Sequence, residues 1–142
     1  MTLDLAGINW LAVIVATVIY FALGAAWFAP QTPIGRAWVS ASGYQSPTAG
    51  VSSSNLFYVV PAATTFVMVV ATALIAGATG TDTLAEGILL GLIVGLGFAA
   101  MIVLTTAAFE FSKPRPWTWG VIDASYHVLG LLIAAVILAL WR

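Results

Sequence analysis

Apolar residues fill four long stretches of this chain, and shorter polar segments separate them. The stretches cover residues 6–29, 56–77, 84–108 and 119–141, and each reaches the roughly 20 residues that a helix needs to cross a bilayer. Residues 30–55 are a long loop rich in Ser, Gly, Pro and Gln, in which 33–39 can form a short interfacial turn with Trp38 at headgroup depth. The pattern predicts an all-α fold, in which residues 1–142 form a single four-helix transmembrane bundle.

Composition points to the same class of protein. Hydrophobic residues make up 62% of the chain and charged residues 6%, whereas roughly a quarter of the residues in a soluble domain are charged. A formal net charge of −1 provides no basic surface for nucleic acid, and the absence of cysteine excludes disulfides and thiolate metal sites. The lipid bilayer is therefore the expected partner, and neither nucleic acid nor a cofactor is expected.

The positions of Lys and Arg predict how the chain crosses the membrane. The first and third loops contain Arg36, Lys113 and Arg115, and the other side contains only Arg142. Since Lys and Arg concentrate in cytoplasmic loops, we expect a multi-pass protein of the plasma (inner) membrane. Its termini would lie outside, and loops 30–55 and 109–118 would be cytoplasmic.

A glycine stripe in the third span predicts tight helix packing. Gly87, Gly91 and Gly95 recur every four residues, and such small side chains let another backbone approach closely. Continuing the stripe as an α-helix adds Phe98, Ile102, Thr105 and Phe109. The pattern leaves open whether the neighbouring helix belongs to the same chain. Because four helices bury few faces and the glycine stripe invites another copy of the chain, we expect a homo-oligomer.

The fourth span carries an acid and the only histidine of the chain one turn apart. Asp123 and His127 share a face with Gly130, a further packing candidate, and Tyr126 lies at its edge. At about 1.5 Å per residue from the start of the span, His127 is roughly 15 Å deep, near the midplane of a core about 30 Å thick. The opposite face is expected to meet lipid, and it comprises Val121, Val128, Leu132, Val136 and Ala139.

Two further regions offer polar side chains to the same interior. Glu110 ends the third span on the side where Asp123 begins the fourth, and the first span has a mixed stripe of Asn9, Val13, Ala16, Tyr20, Gly24 and Trp27. The candidate ligand-binding or proton-relay residues are therefore Asp123, His127, Tyr126, Glu110, Asn9, Tyr20 and Trp27.

Three functions fit an intramembrane acid and histidine, which are rare in lipid and functional by default. The leading hypothesis is a small binding or transport protein that takes a proton-linked or lipid-like molecule. The first alternative is a membrane enzyme with His127 as general base, oriented by Asp123. The second is a structural or accessory subunit in which the pair only sets helix register. No catalytic motif is present, and one histidine without conventional ligand spacing indicates no metal site.

Several short strings together resemble the domain of unknown function 1761 family, small bacterial four-span membrane proteins. They are INWLA at 8–12, LGAAWFAP at 23–30, GRAW at 35–38, GF at 97–98, FE at 109–110 and DASYH at 123–127. The resemblance implies a four-span architecture and draws attention to Asn9, Trp27, Trp38, Tyr126 and His127. It implies no particular activity.

Overall fold

The computed structural model describes residues 5–44 and 56–141, and it is helical with no strand in that part of the chain. Four of its helices are long and apolar enough to cross a membrane, and a short helix, α2, follows the first of them. The all-α prediction is confirmed. The helices are α1 (Trp10–Trp27), α2 (Pro33–Ser42), α3 (Leu56–Thr79), α4 (Leu84–Phe109) and α5 (Pro116–Leu140).

Local signals explain where these helices begin and end. The Asn9 side chain accepts the backbone N–H groups of Leu11 and Ala12 and so caps α1. α2 starts after Thr32, which caps it, and stops at Gly43, whose φ of 70° suits glycine. The Ser-rich part of the predicted loop, 45–55, lies outside the described residues.

The last helix, α5, is the centre of the bundle. It packs against each of the other four helices. The buried core between α1, α3 and α5 consists of Ala12, Val13, Ala16, Tyr20, Val69, Ala73, Tyr126, Leu131, Ala134 and Leu138. Since α1 and α5 run in opposite directions, the end of α1 lies beside the start of α5. We call this end of the molecule, where α2 also docks, the α2 end.

The glycine stripe of α4 packs within the chain, against α5. A Cβ built at Gly91 would lie 2.6 Å from the Leu132 Cα, and one at Gly95 would lie 3.0 Å from the Val128 Cα. We call this contact of Gly87, Gly91 and Gly95 with α5 the glycine seam. The stripe is therefore used inside one chain and gives no independent support to self-association.

The same contact corrects the predicted lipid face of α5. Val128, Leu132 and Val136 face the glycines of α4, and Ala139 is 2% exposed. Val121 alone of the predicted set is largely exposed, at 54%. The prediction was wrong because α5 is covered on several sides, and an apolar face looks the same whether it meets lipid or another helix.

A π-helical segment, Ile93–Ala100, interrupts α4 and changes which residues face α5. Each π turn takes one residue more than an α turn, so the positions after it rotate around the helix. The predicted continuation of the stripe is therefore wrong: Phe98, Ile102 and Phe109 are 63%, 67% and 73% exposed. Ala100 and Ala107 are buried instead, and Ala107 packs on Gly120 of α5.

Candidate functional site

A buried tyrosine from α1 binds the only histidine. The Tyr20 hydroxyl oxygen lies 2.6 Å from His127 Nδ1, and the Tyr20 side chain is fully buried. Gly130 makes this possible, because a Cβ built there would lie 2.0 Å from the Tyr20 ring. The glycine thus lets the ring lie against the α5 backbone, one turn from His127.

The hydrogen bond assigns the protonation of the imidazole ring. His127 Nδ1 is the only hydrogen-bond partner of the Tyr20 hydroxyl among the described residues. A buried hydroxyl that fails to donate is destabilising by about 1–3 kcal/mol, so Tyr20 donates and Nδ1 accepts. A neutral imidazole that accepts at one nitrogen carries its proton on the other. His127 is therefore the tautomer with its proton on Nε2.

An indole from α2 binds the acid. Trp38 Nε1 donates to Asp123 Oδ1 at 3.2 Å. α2 is held over α5 by a backbone bond from Arg115 N–H to the Ala41 carbonyl, at 3.2 Å, and by the Arg115 guanidinium on the Ser40 hydroxyl. Trp38 therefore covers Asp123 from the loop side, a role that its predicted position at headgroup depth did not include.

Two further aromatic residues tie α1 to α5. The Tyr126 hydroxyl donates to the Tyr20 carbonyl at 3.3 Å and lies beside the Thr65 hydroxyl of α3. Trp27 Nε1 donates to the Ile122 carbonyl at 3.2 Å. We call the contact of Tyr20 and Trp27 in α1 with Ile122, Tyr126 and His127 in α5 the aromatic seam. It lies in the half of the bundle near α2, opposite to the turn between α3 and α4.

Asp123 and His127 bond to different helices rather than to each other. Asp123 uses Oδ1 and His127 uses Nδ1, while Oδ2 and Nε2 have no hydrogen-bond partner among the described residues. No buried side-chain nitrogen or oxygen in that part of the chain lacks a partner, so Oδ2 and Nε2 reach the surface of the bundle. Each side chain thus has one fixed polar atom and one available polar atom.

Asn9 lies at the opposite end of the bundle from this site. It caps α1 and donates from Nδ2 to the Trp141 carbonyl at 3.4 Å. It shares a face of α1 with Tyr20, yet eleven residues at about 1.5 Å each separate them by roughly 16 Å. The shared helix face correctly predicted the direction in which the Asn9 side chain points, but it could not predict how far along the bundle Asn9 lies from the site.

Glu110 lies in the link between α4 and α5, and its contacts are local. Its carboxylate bonds to the Ser112 hydroxyl and pairs with Lys113 Nζ at 3.3 Å. Hydrogen bonds from Ser112 and Lys113 hold the pKa of Glu110 below its usual range. Lys113 also lies 4.5 Å from the centre of the Trp119 ring and acts electrostatically on Asp123.

Two cavities lie elsewhere in the bundle. One of about 260 Å³ is at the end opposite α2, and its lining includes Asn9, Ala73, Leu138 and Trp141. A second, of about 320 Å³, is an open groove on α4 between Phe98 and Thr106. Neither is lined by Asp123 or His127. Among the described residues, no cluster of three His, Cys, Asp or Glu side chains could hold a metal ion.

The core beyond the aromatic seam is apolar. From Tyr20 towards the opposite end it includes Val13, Ala16, Leu131 and Ala134. The hydroxyls of Thr17 and Thr72, which lie along the helices in that half, donate to the Val13 and Met68 carbonyls of their own helices. Within the described residues, the polar groups at Asp123 and His127 are therefore not connected to the opposite end by a polar path.

The residues that prediction missed come from elements outside α5. Thr65, Phe28 and the Trp38 indole all contact the site, and the Phe28 ring lies 5.1 Å from Trp38 and 5.0 Å from Tyr126. The sequence placed Trp38 at headgroup depth and the resemblance drew attention to it, but neither predicted its contact with Asp123. Hydrophobic periodicity could not reveal these contacts, because they depend on how α2 and α3 dock.

These features define a helical membrane bundle with a polar site among aromatic side chains near one end. The sequence model of a family described as "Protein of unknown function (DUF1761)" matches residues 11–139. The chain belongs to this family, as the resemblance predicted. No curated protein and no solved structure matches the chain.

Proposed function

We propose that this protein is a small membrane binding or transport protein that takes a small amphiphilic molecule from the bilayer at Asp123 and His127. The observation that carries the proposal is that Asp123 Oδ2 and His127 Nε2, at the surface of a membrane-spanning helix, have no hydrogen-bond partner within residues 5–44 and 56–141. Hydrocarbon offers no hydrogen bonds, and an unsatisfied polar group there is costly. The polar group of a bound amphiphile would satisfy both atoms.

The geometry favours binding over catalysis by His127. A general base needs a free lone pair on the imidazole. In the tautomer that Tyr20 imposes, Nδ1 already accepts a hydrogen bond and Nε2 carries a proton.

A structural role is the second candidate, and the interhelical bonds favour it. Tyr20 to His127 joins α1 to α5, and Trp38 to Asp123 joins α2 to α5. Interhelical hydrogen bonds in membranes contribute about 0.6–1.7 kcal/mol each. If these bonds were the whole purpose of the two residues, their loss would lower stability and change no binding.

Mass spectrometry separates the two candidates. The protein would be purified in mild detergent, and its co-purifying small molecules would be compared with those of Asp123→Ala and His127→Ala. We expect a molecule that the parent retains and both variants lose. Ser125→Ala is the matched control, because Ser125 is exposed on the same helix and its hydroxyl bonds only to the Val121 carbonyl, at 2.7 Å. Variants that unfold more easily while the parent holds no molecule would support the structural role instead.

We infer further that the α2 end lies in the cytoplasm and both termini lie outside the plasma membrane. The support is the concentration of Arg36, Lys113 and Arg115 at that end. The chain has no cysteine, so single cysteines at Phe111 and Asp82 can be labelled on intact cells with a membrane-impermeant maleimide. Labelling at 82 and protection at 111 is the expected result, and the reverse pattern would overturn the orientation.

Self-association stays part of the proposal, supported by the exposed apolar faces of the spans. Phe98, Ile102 and Phe109 form one such face on α4. Cross-linking in native membranes measures self-association. Detection of the monomer alone at every cross-linker concentration would contradict it.

A further inference from the structure

The two available atoms of the site differ in hydrogen-bonding character. His127 Nε2 carries a proton and can only donate, because Nδ1 accepts from Tyr20. Asp123 Oδ2 accepts when the carboxyl group is ionised and can donate when it is protonated. A single ligand group that contacts both atoms must accept a hydrogen bond from Nε2. It must also donate to Oδ2 when Asp123 is ionised, or accept from Oδ2 when Asp123 is protonated.

On the basis of the function proposed above, we propose that the site recognises the uncharged hydroxyl group of a lipophilic alcohol. A hydroxyl has one donor and two acceptor positions. It accepts from Nε2 while it donates to an ionised Asp123 or accepts from a protonated one. An ammonium group cannot accept from Nε2, and an anionic headgroup would place a second negative charge beside an ionised Asp123.

The basic side chains at the α2 end are engaged elsewhere, so they do not prepare the site for an anion. Lys113 is paired with Glu110, the Arg115 guanidinium donates to Ser40, and Arg36 donates to the Gln31 carbonyl at 2.8 Å. The available atoms are thus a neutral N–H and a single carboxyl oxygen, which suits a neutral ligand group.

The spacing of the two residues fits a small headgroup. Residues four apart on a helix have Cβ atoms roughly 5–6 Å apart, so the Asp123 and His127 side chains are close enough for one small ligand group to contact both. A hydroxyl adds little volume to the end of an apolar chain. It can reach the two atoms at the bundle surface while the chain remains among lipid tails.

The single histidine makes the inference testable by nitrogen NMR. With ¹⁵N-histidine, every side-chain signal of the full protein in phosphatidylcholine nanodiscs comes from His127. Without added ligand, we expect Nε2 to be the protonated nitrogen. Addition of 1-dodecanol should then shift the Nε2 signal saturably, whereas dodecane should leave it unchanged.

Matched variants and alternative probes distinguish results that support the alcohol ligand from results that contradict it. Asp123→Ala should weaken the dodecanol response about tenfold, the effect of losing about 1.4 kcal/mol, and Ser125→Ala should leave it unchanged. If the signal responds to dodecyltrimethylammonium or dodecanoate but not to dodecanol, the inference that the ligand is an alcohol is wrong, while the proposed binding function is retained. If no probe shifts the signal and no molecule co-purifies, both the inferred alcohol ligand and the proposed binding function are wrong. A proton on Nδ1 in the parent would also overturn the inference.

Discussion

The central helix α5 has two seams of opposite chemistry. The glycine seam joins it to α4 by close backbone approach, with Gly91 near Leu132 and Gly95 near Val128. The aromatic seam joins it to α1 by hydrogen bonds between large side chains, chiefly Tyr20 with His127. The first seam uses the smallest residue type of the chain, and the second uses some of the largest.

The difference separates packing from function. Helices in lipid gain no hydrophobic effect from association, so contact area and hydrogen bonds must hold them together. The glycine seam satisfies that need with no polar side chain at the contact. The aromatic seam also holds two helices together, yet His127 Nε2 has no hydrogen-bond partner among the described residues, and neither does Oδ2 of Asp123, one helical turn away. Polar atoms that packing does not require are the better candidates for ligand contact.

The largest effect is expected at the glycine seam. Gly91→Ala would place a Cβ 2.6 Å from the Leu132 Cα, and such overpacking destabilises by about 1–3 kcal/mol. Gly97→Ala is the matched control in the same helix, because nothing lies within 4 Å of the position of its Cβ. Thermal unfolding in detergent measures both. Equal melting temperatures for the two variants would show that α4 does not pack on α5 through Gly91.

A smaller effect is expected from Tyr20→Phe in the aromatic seam. It removes the donor to His127 Nδ1, and we expect a loss of about 0.6–1.7 kcal/mol in unfolding free energy. It should also release the imidazole from one tautomer, which ¹⁵N NMR detects. Thr17→Val is the control, since the Thr17 hydroxyl bonds only to the Val13 carbonyl of its own helix. An unchanged single tautomer in Tyr20→Phe would disprove the assigned direction of the hydrogen bond.

Trp38→Phe should act locally at the α2 end. It keeps an aromatic ring beside Phe28 but removes the indole donor to Asp123, a bond of about 0.5–1.5 kcal/mol. Amide hydrogen exchange of residues 33–42 should become faster, while the spans should change little. The control is Trp117→Phe, because Trp117 is 59% exposed near the same end. If both variants leave α2 equally protected, Trp38 does not hold α2 in place.

The smallest effect is expected at Glu110, outside both seams. Its lowered pKa means that folding favours the carboxylate, so this contribution is present above the ordinary pKa of about 4.3 and lost as pH falls through the lower folded value. Glu110→Gln should lower the melting temperature only slightly at neutral pH, and the difference should shrink below about pH 4. Melting curves across pH measure it. A difference as large as that of Gly91→Ala would place Glu110 in the packed core.

Much of the architecture was readable in advance, because a bilayer demands long apolar helices and this chain has four stretches that qualify. The inward stripe of α1 was also readable, and Val13, Ala16 and Tyr20 are buried as its periodicity indicates. The site was readable only in part. Tyr20, Tyr126, Trp27, Asp123 and His127 lie together near α2, whereas Asn9 lies at the far end and Glu110 bonds within its own link.

The sequence by itself determined the number of long apolar helices, the close approach at Gly87, Gly91 and Gly95, and the face shared by Asp123 and His127. These follow from helix length, side-chain size and a period of 3.6 residues, which are local properties. Only the tertiary structure decided that Ala100 and Ala107 replace Phe98 and Ile102 at the α4 contact, since a π-helical segment rotates the helix beyond it. Only docking could give His127 the Tyr20 hydroxyl and Asp123 the Trp38 indole, because hydrogen bonds between distant residues depend on helix depth and orientation, which local periodicity does not encode.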